Sequence, residues 1–163
     1  MGSFASQLHA VVLDTLIRRG WSRVTAPEVA YSPDRGRVIR YFAPSIVQRR
    51  GGASVMGKLG VILPGFEKQW ANDRLGQDDY LPFGMLIDNC SALSYVPVFD
   101  ITDLELAEAW VDEIIKQCIR LPNNMDDLRS DLRDDRIGPF KLNLFFLEND
   151  KSRSAVRFAL QND

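Results

Sequence analysis

The chain has 163 residues, of which 45% are hydrophobic and 26% are charged, as in an ordinary globular domain. Nine Phe, four Tyr and three Trp supply enough apolar surface to exclude a wholly disordered chain, and we expect one domain over residues 1–163. The net charge of −2 and the isoelectric point near 5.5 argue against a dedicated nucleic-acid-binding protein.

The first half of the chain is predicted to be a helix followed by strands. Phe4, Leu8 and Val12 begin an apolar stripe at helical spacing, which predicts a helix over residues 4–19 that ends at Gly20. Apolar runs interrupted by turn residues predict an antiparallel meander over residues 21–63, with turns at residues 32–36 and 50–52. A short helix is predicted over residues 66–75.

The second half is predicted to contain more helix. Residues 76–82 read as a loop, and residues 83–90 and 93–99 as strands. A capping box of Thr102 and Glu105 begins a helix over residues 103–120. The remaining predicted elements are a helix over residues 124–134, a central strand over 140–147 that is apolar on both faces, and a helix over 152–160. The fold class is therefore α+β, a mostly antiparallel sheet covered by amphipathic helices.

One segment matches a phosphate-binding motif in part. Residues 52–58 fit the first seven positions of GxxxxGK[ST], but Leu59 stands where the magnesium-binding hydroxyl belongs. The residues that follow are strand-like, whereas a phosphate loop must open a helix. We interpret the segment as a glycine-rich hairpin.

The titratable residues give no recognisable catalytic or metal-binding set. Five aspartates (Asp126, Asp127, Asp131, Asp134 and Asp135) alternate with Arg129, Arg133 and Arg136. This spacing favours exposed ion pairs along a helix over a metal site. Cys90 and Cys118 are predicted to be reduced, and no signature of nucleophilic catalysis surrounds Cys90 or the single histidine, His9. We expect no metal, no cofactor and no enzymatic activity, although a site assembled from distant residues stays open.

Basic residues mixed with aromatic ones form the candidate binding surface. Residues 1–75 carry 11 basic and 5 acidic side chains, whereas residues 76–163 carry 9 and 17. Either the two halves attract each other, which we favour, or the first half binds an anionic partner. The candidate binding residues are Arg35, Arg37, Arg40, Tyr41, Arg49 and Arg50. An acidic protein surface suits them better than nucleic acid, and the interpretation we favour over both is a plain charged surface, since arginine on strands also serves to prevent edge pairing.

The location is expected to be cytoplasmic, without a membrane segment. No apolar run approaches the ~20 residues of a spanning helix, and the beginning of the sequence lacks a secretory signal. Association of two copies through their oppositely charged halves stays open.

The order of a helix, Arg19-Gly20-Trp21, a β-meander, and Leu59-Gly60-Val61 before an aromatic-bearing helix resembles the small bacterial domains grouped as domain of unknown function 4304. The resemblance covers about the first half, and it implies an α+β domain with no established activity and no catalytic residues to carry over. The leading hypothesis is a bacterial, non-enzymatic protein-interaction domain of an accessory or immunity-like kind. The alternatives are a small-ligand-binding protein or enzyme without a visible motif, and nucleic-acid binding through the basic hairpins.

Overall fold

The computed structural model describes residues 3–25, 28–34, 36–73, 99–101, 106–142 and 150–161. The helices are α1 (Phe4–Arg18), α2 (Pro64–Asp73), α3 (Leu106–Cys118), α4 (Met125–Arg133) and α5 (Asp150–Gln161). The strands are β1 (Ser22–Thr25), β2 (Glu28–Tyr31), β3 (Ile39–Arg49), β4 (Gly52–Ile62), β5 (Phe99–Ile101), β6 (Arg136–Ile137) and β7 (Phe140–Lys141). The predicted α+β class with an antiparallel sheet is confirmed.

The first helix forms where its apolar periodicity predicts. The hydroxyl of Ser3 accepts a hydrogen bond from the amide of Ser6 (3.2 Å) and so caps the helix. Leu8, Val12 and Leu16 are buried along one stripe. The helix ends as the chain reaches Gly20, whose φ of 88° favours glycine.

The main sheet has the order β1-β2-β3-β4-β5, and every pair of neighbours is antiparallel. The β3–β4 hairpin is its longest pair, and it runs without interruption from Ile39 opposite Ile62 to Arg49 opposite Gly52. Between these last residues the chain reverses through Arg50 and Gly51, and Gly51 has a φ of 81°. The predicted meander is confirmed.

The two faces of the sheet carry separate apolar clusters, because successive side chains of a strand alternate in direction. Phe42 lies on the face that packs against α1 and α3, and its ring meets Trp110 of α3 edge to face at 5.7 Å. Tyr41, on the opposite face, clusters with Val29 and Ile62.

The helices of the second half pack on the first cluster and on one another. The predicted helices over residues 124–134 and 152–160 are confirmed as α4 and α5. The guanidinium of Arg129 in α4 is buried and donates from Nε to the carbonyl of Ala159 (2.8 Å), close to the end of α5. Helix α3 confirms the body of the predicted helix over residues 103–120, whereas its capping residues Thr102 and Glu105 lie outside the described ranges.

The structure confirms the interpretation of one ambiguous sequence pattern and corrects that of another. Residues 52–58 lie within β4 and pair with β3, which confirms their interpretation as a glycine-rich hairpin that does not open a helix. Phe140 and Lys141, the start of the predicted central strand, pair with β6 in a separate two-stranded sheet. The turn at Gly138 and Pro139 brings them back onto β6, which local apolarity does not reveal.

The remaining predictions for the second half concern residues outside the described ranges. They are the loop over residues 76–82, the strand over 83–90, most of the strand over 93–99, and the strand residues 143–147. No helix among the described residues is long and apolar enough to cross a membrane.

Candidate functional site

The predicted binding residues do not form one surface. Arg49 and Arg50 are exposed at the closed end of the β3–β4 hairpin, whereas Arg37 is exposed just before the other end of β3. Arg40 and Tyr41 lie between these ends, and Arg35 lies outside the described residues.

The prediction of Tyr41 as a surface binding residue is wrong. Its side chain is completely buried, and its ring lies against Gly60 on the neighbouring strand. Phe42 is equally buried on the opposite face of the sheet. Neither ring is accessible for stacking on a nucleic-acid base, which removes the main structural requirement for base recognition at this position.

The prediction of Arg40 as a surface binding residue is also wrong, because its side chain bonds to other residues within the fold. Its side chain is only 11% exposed, and Nη1 lies 3.1 Å from Asp34 Oδ2. The Nε atom donates to the carbonyl of Leu121 (2.8 Å), just after α3. The guanidinium therefore joins the central strand of the sheet to the connection between α3 and α4.

Asp34 is the second member of this internal network. Its carboxylate accepts hydrogen bonds from the Ser32 hydroxyl and from Nδ2 of Asn123 (2.9 Å). Partial burial would raise the pKa of Asp34, but these hydrogen bonds and the charge of Arg40 outweigh it and hold the pKa below its usual 3.8. The carboxylate is thus ionised at neutral pH and committed to its three partners.

A polar cleft of about 550 Å³ lies beside this network, between the α3–α4 connection, α4 and the β6–β7 turn. Inside it, Asp131 pairs with Arg136 (2.6 Å) and accepts a hydrogen bond from the amide of Gly138 (2.7 Å). Asp131 and Arg129 are buried, so the predicted ladder of exposed ion pairs is wrong for both. Because Arg40 and Arg136 already pair with carboxylates, we interpret the cleft as a joint between elements.

Among the described residues, no cysteine and histidine side chains form a catalytic pair. Cys118 is a buried free thiol, and burial raises its pKa to about 12, so it is protonated and unreactive at neutral pH. This confirms the prediction for Cys118, whereas Cys90 lies outside the described residues. His9 is half-buried on α1. The described residues contain no group of three or more potential metal ligands.

The distal part of β3 has an edge that no described strand covers. Pairing between β2 and β3 ends at Phe42, whereas β3 continues to Arg49. We call the side of residues 44–49 that faces away from β4 the open edge. On the other side of the hairpin, β4 pairs with β5 at the same level, from Ala53 to Val55.

Backbone geometry decides which groups the open edge presents. The carbonyl of Arg40 accepts a hydrogen bond from the amide of Ser32, so Arg40 directs its backbone groups toward β2. These directions alternate along an antiparallel strand, and the β3–β4 register contains no bulge. Ile46 and Gln48 therefore direct both amide and carbonyl outward, whereas Pro44 has only a carbonyl to offer.

The side chains around the open edge are apolar and basic. Val47 is 43% exposed, which is unusual for an aliphatic side chain on a strand of this sheet. Ser45, Arg49 and Arg50 are exposed as well, and Arg50 has no carboxylate partner in the described part of the chain. An extended segment lying along the edge would meet a valine and then two arginines.

Gln48 fixes the position of this edge relative to α1. Its Oε1 accepts a hydrogen bond from the amide of Ala5 in the first turn of α1 (2.9 Å). Its Nε2 donates to the carbonyls of Arg49 (3.0 Å) and Gly52 (2.8 Å) at the hairpin end. One side chain thus satisfies a free helix amide and braces the turn.

Sequence patterns identified the two arginines of this site but missed the open edge. The available signal is a difference in strand length, because β1 and β2 span four residues each while β3 and β4 span 11 each. No protein-family model matches the chain, and comparison with curated proteins and with solved structures finds no similar protein.

Proposed function

We propose that this chain is a non-enzymatic interaction domain that binds an extended, acidic segment of another protein along the open edge of β3. The observation that carries the proposal is the exposed end of β3, where Ile46 and Gln48 direct their backbone groups away from β4 without a described strand to receive them. An added strand would extend the sheet and satisfy these groups, which is a common mode of peptide recognition.

The expected affinity comes from backbone pairing together with charge. Each hydrogen bond formed at Ile46 and Gln48 contributes on the order of 1 kcal/mol net, because the peptide exchanges water for the strand. The apolar surface of Val47 offers a cross-strand contact to a β-branched residue of the peptide. Arg49 and Arg50 attract carboxylates and set the direction in which an acidic segment lies.

The same features have a second interpretation, in which they protect the protein. Proline and cationic side chains on an edge strand discourage pairing with other chains. Pro44 and the arginines at the hairpin end fit that role too. The two interpretations differ in one outcome: a protective edge rejects extended peptides of either charge, whereas a binding edge accepts the acidic one.

The cellular setting remains part of the proposal. An accessory or immunity-like role in a bacterial cytoplasm agrees with the resemblance to domain of unknown function 4304, which implies no established activity. Nucleic acid is the less supported partner, because Tyr41 and Phe42 are buried and cannot stack on bases.

The experiment uses fluorescent peptides and the intact chain. A short extended peptide that carries a Val and, two residues away on the same face, a Glu, so that they can lie against Val47 and Arg49, is titrated with protein, and binding is followed by fluorescence anisotropy. Methylating the peptide nitrogens that face the protein removes the donors to the Ile46 and Gln48 carbonyls, and we expect it to weaken binding by roughly tenfold or more. A peptide in which Lys replaces every Glu is expected not to bind. Equal binding of the methylated and unmethylated peptides would contradict strand addition.

A charge reversal tests the role of the arginines. We expect Arg50→Glu to weaken binding of the acidic peptide by about threefold to tenfold, because it replaces an attraction at the rim by a repulsion. The matched control is Arg133→Glu, which makes the same change at an exposed position of α4. If both variants bind as the parent protein does, the arginines of the hairpin do not select the partner.

A further inference from the structure

A second cavity lies at the opposite end of β3 from the hairpin turn. It has a volume of about 390 Å³, within the size range of small-molecule pockets, and lies between the turn before β3, the start of α2, α4 and α5. Its apolar lining comes from Leu63, Pro64, Met125 and Phe158. The ring of Phe158 also packs against Phe66 at 5.6 Å, so this wall is held by the adjacent helix.

Among the described residues that line this cavity, Arg37 is the one with a charged side chain. It is exposed, and it has no carboxylate or other hydrogen-bonding partner among the described residues. Arg40 and Arg136, in contrast, both pair with carboxylates within the fold. A guanidinium left without a partner beside an apolar cavity offers a planar fork of donors to an anion that enters.

The start of α2 adds to the same electrostatic preference. Gly65 lines the cavity and belongs to the first turn of α2, where helix amides have no acceptor within the helix. The helix dipole also places partial positive charge there. Both effects add to the positive charge of Arg37, so the cavity favours a negatively charged group over a neutral or positive one.

We propose that this cavity binds a small carboxylate with an apolar body, such as a medium-chain or aryl-substituted carboxylic acid. The carboxylate pairs with the guanidinium of Arg37, and the apolar body lies against Leu63, Met125 and Phe158. The site is separate from the open edge, and it requires neither peptide binding nor a partner protein.

The test compares three ligands of one chain length: octanoate, octanamide and octylamine. Binding to the intact, isotope-labelled protein is followed by NMR through the amides of Gly36, Arg37 and Gly65, which report on the cavity directly. We expect octanoate to shift these amides with saturation, octanamide to bind about tenfold more weakly, and octylamine not to bind, because only the carboxylate engages the guanidinium.

Protein variants separate the charge from the cavity. Arg37→Gln is expected to weaken octanoate by about tenfold and to leave octanamide unchanged, since the substitution removes only the cation. Gly65→Leu adds apolar volume at the lining while favouring the helix, and it is expected to weaken both ligands. Equal affinities of octanoate and octanamide, an unchanged affinity of octanoate in Arg37→Gln, or no saturable shift of the cavity amides would each overturn the proposal.

Discussion

Phe42 occupies space that exists because residue 57 is a glycine. The side chain of Phe42 is completely buried, its ring meets Trp110, and a Cβ atom on Gly57 of the neighbouring strand would collide with that ring. The glycine weakens the strand locally, but it allows the contact of Phe42 in the sheet with Trp110 of α3. The glycine on β4 therefore makes room for the aromatic ring on β3.

Substitution of Gly57 tests this packing. We expect Gly57→Ala to lower the free energy of unfolding by about 1–3 kcal/mol, because the ring of Phe42 has to move in a filled core. Urea denaturation gives the value. The control is Gly36→Ala, where an added Cβ meets nothing within 4 Å. Equal stabilities of the two variants would show that the core accommodates the methyl group.

Asp34 makes the stability of the protein depend on pH. Its pKa is lower in the folded chain than in the unfolded chain, so its contribution is present above the usual value of 3.8 and is lost as the pH falls through the folded value. We expect Asp34→Asn to be less stable than the parent protein at neutral pH, and the difference to shrink below about pH 4. Denaturation midpoints across this range measure it, and a difference independent of pH would contradict the ionic role.

At the level of secondary-structure elements, Gln48 adds a hydrogen bond to the apolar contact between α1 and the β3–β4 hairpin. We expect Gln48→Ala to lower the free energy of unfolding by roughly 1 kcal/mol, because the amide of Ala5 and two carbonyls of the hairpin lose their partner. The control is Gln69→Ala, which truncates an exposed glutamine on α2. Faster hydrogen exchange at Ala5 in Gln48→Ala alone would locate the effect, and equal loss in both variants would contradict it.

Local patterns predicted the helices and the meander because each element carries its own periodicity. The stripe of Leu8, Val12 and Leu16 is sufficient to place α1, and the alternation through Leu59 and Val61 to place β4. The pairing of Phe140 with Ile137 was not predictable, since strand partners are chosen by tertiary contacts. The open edge was not predictable for the same reason, because it depends on where the pairing of β2 with β3 ends.

At the scale of the whole molecule, part of the charge difference between the two halves is neutralised internally. Arg18 lies 3.6 Å from Glu108 and Arg19 pairs with Asp112, so basic residues at the end of α1 meet the acidic surface of α3. This supports the favoured interpretation of the charge split. These side chains are exposed, so each pair contributes little to stability.

The candidate site was predictable only in its composition. Arg37 and Arg50 lie far apart in the fold although the sequence groups them, and both face solvent without a described carboxylate partner. Arg40 and Tyr41 lie beside them in the sequence, but the side chain of Arg40 is largely covered and that of Tyr41 is buried. Which arginine of a strand faces solvent depends on the register and on the layers that cover the sheet, and neither is encoded by residue type.

Amide hydrogen exchange at the open edge, measured by NMR with and without the acidic Glu–Val peptide, decides whether a peptide adds to β3 as a strand. In the free protein, Ile46 and Gln48 are expected to exchange quickly while Val47, whose amide faces β4, is protected. We expect the peptide to slow exchange at Ile46 and Gln48 and to change exchange at Val47 little. Amides of Ile46 and Gln48 that are already protected in the free protein, or that the bound peptide leaves unchanged, would contradict it.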